Sequence, residues 1–246
     1  TAANPFAIAI SQEGEWDFSL NPQGALVTTY YFRLVRSGGA ILDSYTRYPA
    51  IIINTPPNVP SSLGPSSLTN GSWTNDNTPS FTFTLSDPDT SDTVKYQIQL
   101  STSSSFSAFT VDYTSALQAQ GSTIFTVGQA TSGGSYAVGS EGQTLPDSSG
   151  YYWRVMATDN GNATSGWATA NSGNIAFKVD ATAPATGTVS LGSITASSIT
   201  ATITGASDSG SGLATTSYLF QNITNSASSG LTSATTWADT GLNPST

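Results

Sequence analysis

Apolar residues alternate with polar ones along well-separated stretches of the chain. Phe81, Phe83 and Leu85 are interleaved with Thr82 and Thr84, and Tyr96, Ile98 and Leu100 with Lys95, Gln97 and Gln99. Ile199, Ala201 and Ile203 are interleaved with Thr200, Thr202 and Thr204. A period of two sends successive side chains to opposite faces of a strand, one toward a core and one toward water. On this reading Tyr151, Trp153, Val155 and Ala157 face inward, and Tyr152, Arg154 and Met156 face outward. No stretch keeps a helical period between a capping residue and a Gly stop, which predicts little or no helix. The expected class is all-β, built as antiparallel sandwiches.

A repeat runs through these strands. Leu145-Pro146-Asp147-Ser148-Ser149-Gly150-Tyr151-Tyr152-Trp153-Arg154-Val155 parallels Leu20-Asn21-Pro22 followed by Thr28-Thr29-Tyr30-Tyr31-Phe32-Arg33-Leu34. A third copy begins at Thr240-Gly241-Leu242-Asn243-Pro244-Ser245-Thr246. The unit has the physics of a tyrosine corner: Leu plugs the core, Pro turns the chain, and the first Tyr of the next strand returns its hydroxyl to the turn backbone. Structural corners are therefore expected at Leu20 with Tyr30, at Leu145 with Tyr151, and at Leu242.

The middle of the chain resembles a fibronectin type III or closely similar Ig-like module of bacterial extracellular surface proteins. The likeness rests on Asp87-Pro88-Asp89 leading to Tyr96, Gln97, Gln99, Ser101 and Thr102, then Ser105-Phe106-Ser107. It continues in Tyr151-Tyr152-Trp153-Arg154-Val155, Ala157, Asp159 and the Ser165-Gly166-Trp167 turn. Asp208-Ser209-Gly210-Ser211-Gly212-Leu213-Ala214 extends it toward the C-terminus. The resemblance implies tandem antiparallel β-sandwiches, incomplete at both ends. Residues 1–56 would be the C-terminal half of one module, with Pro56, Pro57 and Pro60 as a stiff extended linker. Residues 57–181 would be a complete module, enlarged by a Gly/Ser-rich hairpin at 133–142. Residues 182–246 would be the N-terminal part of a further module, after an Asp180-Ala181-Thr182-Ala183-Pro184 joint. Two explanations suit such broken ends: a window on a longer tandem array, or strand exchange between neighbouring copies.

Composition narrows the function. The chain has 246 residues, of which 39 are Ser, 37 are Thr and only 9% are charged. It contains no Cys and no His. That excludes disulfides, thiol nucleophiles, iron–sulfur clusters, histidine-based triads and histidine zinc sites. Six basic residues against a net charge of −9 cannot neutralise a row of phosphates, so no nucleic-acid partner is expected. No apolar run approaches the ~20 residues of a membrane span. Glu13, Glu15 and Glu141 are the only glutamates, and nothing sets two carboxylates across a cleft as glycoside hydrolysis needs. The expectation is a non-enzyme. A Lys–Asn crosslink would have only Lys95 and Lys178 to draw on.

Asp87, Asp89 and Asp92 form a candidate calcium set, with Asp76 or Asp159 as outside partners, because a hard cation takes clustered carboxylates. The competing explanation is turn chemistry, in which Asp opens the turn and Pro fixes its second residue. Trp73, beside Asn70-Gly71-Ser72 and Asn75, is the candidate sugar-stacking residue. Arg33 and Arg154 are expected to lie across outer sheet faces. Asn70, Asn162 and Asn222 head glycosylation-type tripeptides. The expected role is structural: a non-catalytic segment of an extracellular surface or filament protein, acting in spacing, adhesion or fibre assembly. Its expected partners are neighbouring copies or further modules of the same protein, and surface polysaccharide. The alternative is a carbohydrate-binding module or an accessory segment of a larger secreted hydrolase. No cofactor is expected apart from the candidate calcium.

Overall fold

A computed structural model describes residues 54–243. The expected first module, with the Leu20 and Tyr30 corner and Arg33, lies outside the described residues apart from its last three positions. The described chain is all-β, as the alternation predicts, and its helical content is two short 3-10 turns. Ten strands come first: β1 (Ser61–Gly64), β2 (Ser72–Thr74), β3 (Ser80–Leu85), β4 (Val94–Ser101), β5 (Val111–Thr114), β6 (Gly121–Thr126), β7 (Ser135–Val138), β8 (Ser148–Asp159), β9 (Ala168–Thr169) and β10 (Phe177–Val179). Five more follow: β11 (Thr188–Gly192), β12 (Ser198–Thr204), β13 (Tyr218–Gln221), β14 (Ser228–Thr232) and β15 (Thr236–Thr240).

The first ten strands make a sandwich. One sheet has the order β1-β3-β6; the other runs β2-β10-β8-β4-β5-β7, with β9 paired to β8. Their inner faces meet in aromatic contacts: the Phe81 and Trp153 ring centroids lie 4.9 Å apart, as do those of Phe83 and Tyr96. Phe81, Phe83 and Leu85 on β3, and Tyr151, Trp153, Val155 and Ala157 on β8, are all buried as the alternation requires. The β4–β8 ladder is the longest, from Val94 opposite Asp159 to Ser101 opposite Tyr152.

The sandwich's first strand is divided between the sheets. β1 pairs antiparallel with β3, whereas β2 pairs parallel with β10. Pro65 and the 3-10 turn Ser66–Leu68 carry the chain across. Leu68 is buried there, and its carbonyl accepts the Trp153 indole N–H at 2.8 Å.

Three features differ from expectation. The prolines at 56–60 do not form a free-standing spacer. Pro57 and Pro60 are buried, and the Asn58 N–H donates to the Ser86 carbonyl, because an apolar ring and a free donor both gain by lying on the sandwich. The segment at 133–142 is not a hairpin either. It supplies one edge strand, β7, paired to β5, while Gly134 passes so close to Thr114 that a Cβ there would sit 2.4 Å from its carbonyl oxygen. Finally, β12 pairs with β11 and β15, but Ile199, Ala201 and Ile203 are only half-buried, as are Thr200 and Thr202. In residues 185–243 Phe220 is the one buried apolar side chain described, stacked on Trp237 at 6.3 Å.

Candidate functional site

Three places on the described residues gather polar chemistry. On the outer face of the β4–β8 ladder, Arg154 lies between two aromatic rings. Its guanidinium carbon is 4.2 Å from the Phe106 centroid and 4.2 Å from that of Trp167. Its Nε donates to Gln99 at 2.9 Å, and Gln99 and Gln97 in turn donate to the two oxygens of Asp112. Burial pushes the Arg154 pKa down, and the Asp112 carboxylate pulls against that shift. With both faces of the guanidinium covered, Arg154 is a sheet-face staple.

The second place is the loop after β3, at the pole where residues 54–58 enter. The Asp89 N–H donates to Asp87 Oδ1 at 2.8 Å, and the Thr55 N–H donates to Asp89 Oδ2 at 2.7 Å. Gln120 ties the loop from the far side: its Oε1 accepts the Asp87 N–H and its Nε2 donates to the carbonyls of Asp89 and Asp92. Asp87 and Asp89 are each only 5% exposed, yet among the described residues Asp87 Oδ2 and Asp89 Oδ1 have no hydrogen-bond partner. One carboxylate oxygen from each of Asp87, Asp89 and Asp92 lies within 4.8 Å of the others. Burial raises the Asp87 pKa against the pull of the Asp89 N–H, and the charges of Asp89, Asp159 and Asp92 add to the rise.

Asp159 closes the same pole from the end of β8. Its Oδ2 accepts from Asn54 Nδ2 at 2.7 Å and its Oδ1 from the Ala163 N–H at 2.8 Å. Asp76 stands at the opposite end of the sandwich, beside Thr74, whose carbonyl accepts the Asp180 N–H. Its Oδ1 takes the Thr78 N–H and hydroxyl, so it is not a partner of the loop.

The third place is a hollow of about 460 Å³ at the 180–185 joint, lined by Trp73, Asp147, Asp180 and Asp208 among others. Trp73 is 38% exposed, and Lys178 Nζ lies 5.4 Å from its ring centroid. Asp180 Oδ2 accepts the Ser211 N–H at 2.6 Å; the Ser211 hydroxyl and N–H together hold the Asp180 pKa below the usual carboxylate range. Asp147 receives the Ala181 N–H and the Thr182 hydroxyl. Elsewhere, the Tyr151 hydroxyl donates to the Pro146 carbonyl at 2.8 Å with Leu145 buried beside it, and the Leu242 N–H donates to Ser197. Asn222 spends its side-chain N–H on Asp239 at 2.6 Å.

Residues 61–177 match the family described as "Rha78A-like, N-terminal immunoglobulin domain". The sandwich is immunoglobulin-like. No curated protein matches the chain. The comparison supports the Ig-like part of the resemblance drawn from the Asp-Pro-Asp and Tyr-Tyr-Trp-Arg-Val motifs.

Sequence reasoning missed two working residues of the immunoglobulin-like domain. Gln120 staples the acidic loop from 31 residues away, and no local pattern marks it. Phe106 joins Trp167 around Arg154; its positive φ of 53° sets it at a turn after β4, where an outward aromatic beside an outward arginine was the available signal.

Proposed function

We propose that this chain is a non-catalytic accessory segment of a larger, secreted carbohydrate-active protein, in which immunoglobulin-like sandwiches space and hold other parts. The observation that carries this reading is the match of residues 61–177 to an N-terminal domain family of Rha78A-like proteins, a domain associated with glycoside hydrolases. The packing supports it. The interior is filled by rings and aliphatic side chains, and the most elaborate polar group on the outer face, around Arg154, is spent on holding the sheet. A chain without Cys, rich in Thr and poor in charge suits long exposure outside the cell, where Thr favours the pleat and does not oxidise.

The test is the denatured mass of the native polypeptide, captured with antibodies raised against this chain, together with its activity on aryl glycosides. The expected mass is far above 25.3 kDa, with hydrolysis by the native protein and none by the 246-residue chain alone. A native mass of 25.3 kDa, or turnover by the chain alone, overturns the reading.

One observation favours a second role in the same segment. Trp73 offers a partly exposed indole at the edge of a hollow lined by carboxylates and hydroxyls, a surface on which a sugar ring could stack. Glycan-array binding that is lost in Trp73→Ala would establish it; binding unchanged in that variant would dismiss it.

A further inference from the structure

We propose that the pole of the sandwich at Asp87, Asp89 and Asp92 is a calcium site. Acidic side chains gather on many loops, so the deciding observation is of another kind. Asp87 Oδ2 and Asp89 Oδ1 are enclosed by protein and have no partner among the described residues. A carboxylate oxygen removed from water without a partner is costly, and folded proteins rarely leave one so. The hydrogen-bond partners of Asp87 and Asp89 are neutral: the Asp89 N–H and the Thr55 N–H. Among the described residues no Lys or Arg side chain is hydrogen-bonded to either carboxylate.

The geometry suits a large, hard ion. The three carboxylates can bring their oxygens within 4.8 Å of one another. Opposite ligands of calcium, at 2.3–2.6 Å each, stand about 5 Å apart, whereas magnesium demands a tighter octahedron near 2.1 Å. Asp87 and Asp89 supply the buried side of the shell, and half-buried Asp92 leaves the other side to water. Asp159, with both oxygens already occupied by Asn54 and Ala163, flanks the ion and adds negative potential. Gln120 holds the loop backbone in shape from behind.

The site has a structural consequence. Thr55 and Asn54 are tied to Asp89 and Asp159, so an ion at this point clamps the entering chain, the loop after β3 and the end of β8 together. Its role is stiffening, and it is independent of the accessory reading.

The experiment titrates calcium chloride into the full 246-residue chain, first stripped with chelator, at neutral pH. The expected result is one saturable site with Kd between about 10⁻⁴ and 10⁻³ M, the range of extracellular modules. Magnesium chloride should bind at least tenfold more weakly. Amide resonances of residues 87–93 and 159–163 should shift on calcium addition, which locates the ion without any substitution. Asp89→Asn should weaken calcium binding at least tenfold, and Asp76→Asn, at the opposite pole, should leave it unchanged. Failure to saturate by about 10 mM calcium, beyond the weakest such modules, overturns the proposal. So do shifts confined to the hollow at residues 180–211, or binding retained in Asp89→Asn and lost in Asp76→Asn.

Discussion

Replacing Arg154 separates what a charge does on a sheet face from what a flat, stacked cation does. In the folded protein its guanidinium is sandwiched at 4.2 Å from both Phe106 and Trp167, and Nε is bonded to Gln99. Each cation–π contact is worth about 0.5–1 kcal/mol at a partly exposed position, and a hydrogen bond from a charged donor about 1.5 kcal/mol. Ordering a long side chain returns about 1 kcal/mol of that sum. Arg154→Ala should therefore lose about 2 kcal/mol, or roughly 4–8 °C in Tm for a chain of this size. Arg154→Lys should recover less than half, because an ammonium cannot lie flat against two rings. Urea unfolding followed by circular dichroism gives both numbers. A double-mutant cycle with Trp167→Ala should show a coupling of about 0.5–1 kcal/mol. A coupling below about 0.3 kcal/mol, or a lysine variant as stable as the parent, would refute the stacking argument.

Three further outcomes are expected. Phe81→Ala, which empties a fully buried site beside Trp153, Phe177 and Phe125, should cost about 3–5 kcal/mol by urea unfolding. Burial, with the Asp147 charge adding, pushes Tyr151 up to about 12, and burial likewise lifts Tyr136 to about 12, against about 10 for an unfolded tyrosine. Because the folded state keeps these protons longer, the stability they lend is whole below pH 10 and drains as pH rises from 10 to 12. Alkaline unfolding should show that slope, and Tyr151→Phe should flatten it. Gly210→Ala would set a Cβ 2.3 Å from the Asp180 carboxyl carbon and push that carboxylate off Ser211. Limited proteolysis should then cut faster at residues 181–185, while the thermal transition of the first sandwich stays in place.

The strands at Phe81, Tyr96 and Tyr151 could be read from sequence because each packs one face into a dense core and leaves the other wet, so burial enforces alternation. β2 could not. Its three residues carry no pattern, and its parallel partner lies more than a hundred positions away. β7 was hidden by the glycines that flank it: backbone pairing to β5 needs no side-chain signature, and Gly/Ser punctuation resembles a turn. β12 failed in the opposite sense, since its alternation is clear while its neighbours bury neither face fully. At the acidic loop, the three aspartates were visible as types and spacing. The enclosure that leaves two of their oxygens unpaired depends on residues 54–55 folding back over the loop.

The parallel pairing of β2 with β10 bears on how the sandwich carries load. The chain enters through residues 54–58 and β1, which pairs with β3, and leaves just after β10, so once β1 has peeled from β3 tension at the two ends draws β2 and β10 past each other along their length. The bonds from the Gly71 N–H to Ala176 and from the Asp180 N–H to Thr74, with the ladder between them, are then strained at the same moment. An antiparallel pair pulled open from one end would yield bond by bond. Here several must break together, so the short, patternless strand β2 is the latch that sets the rupture force of the module.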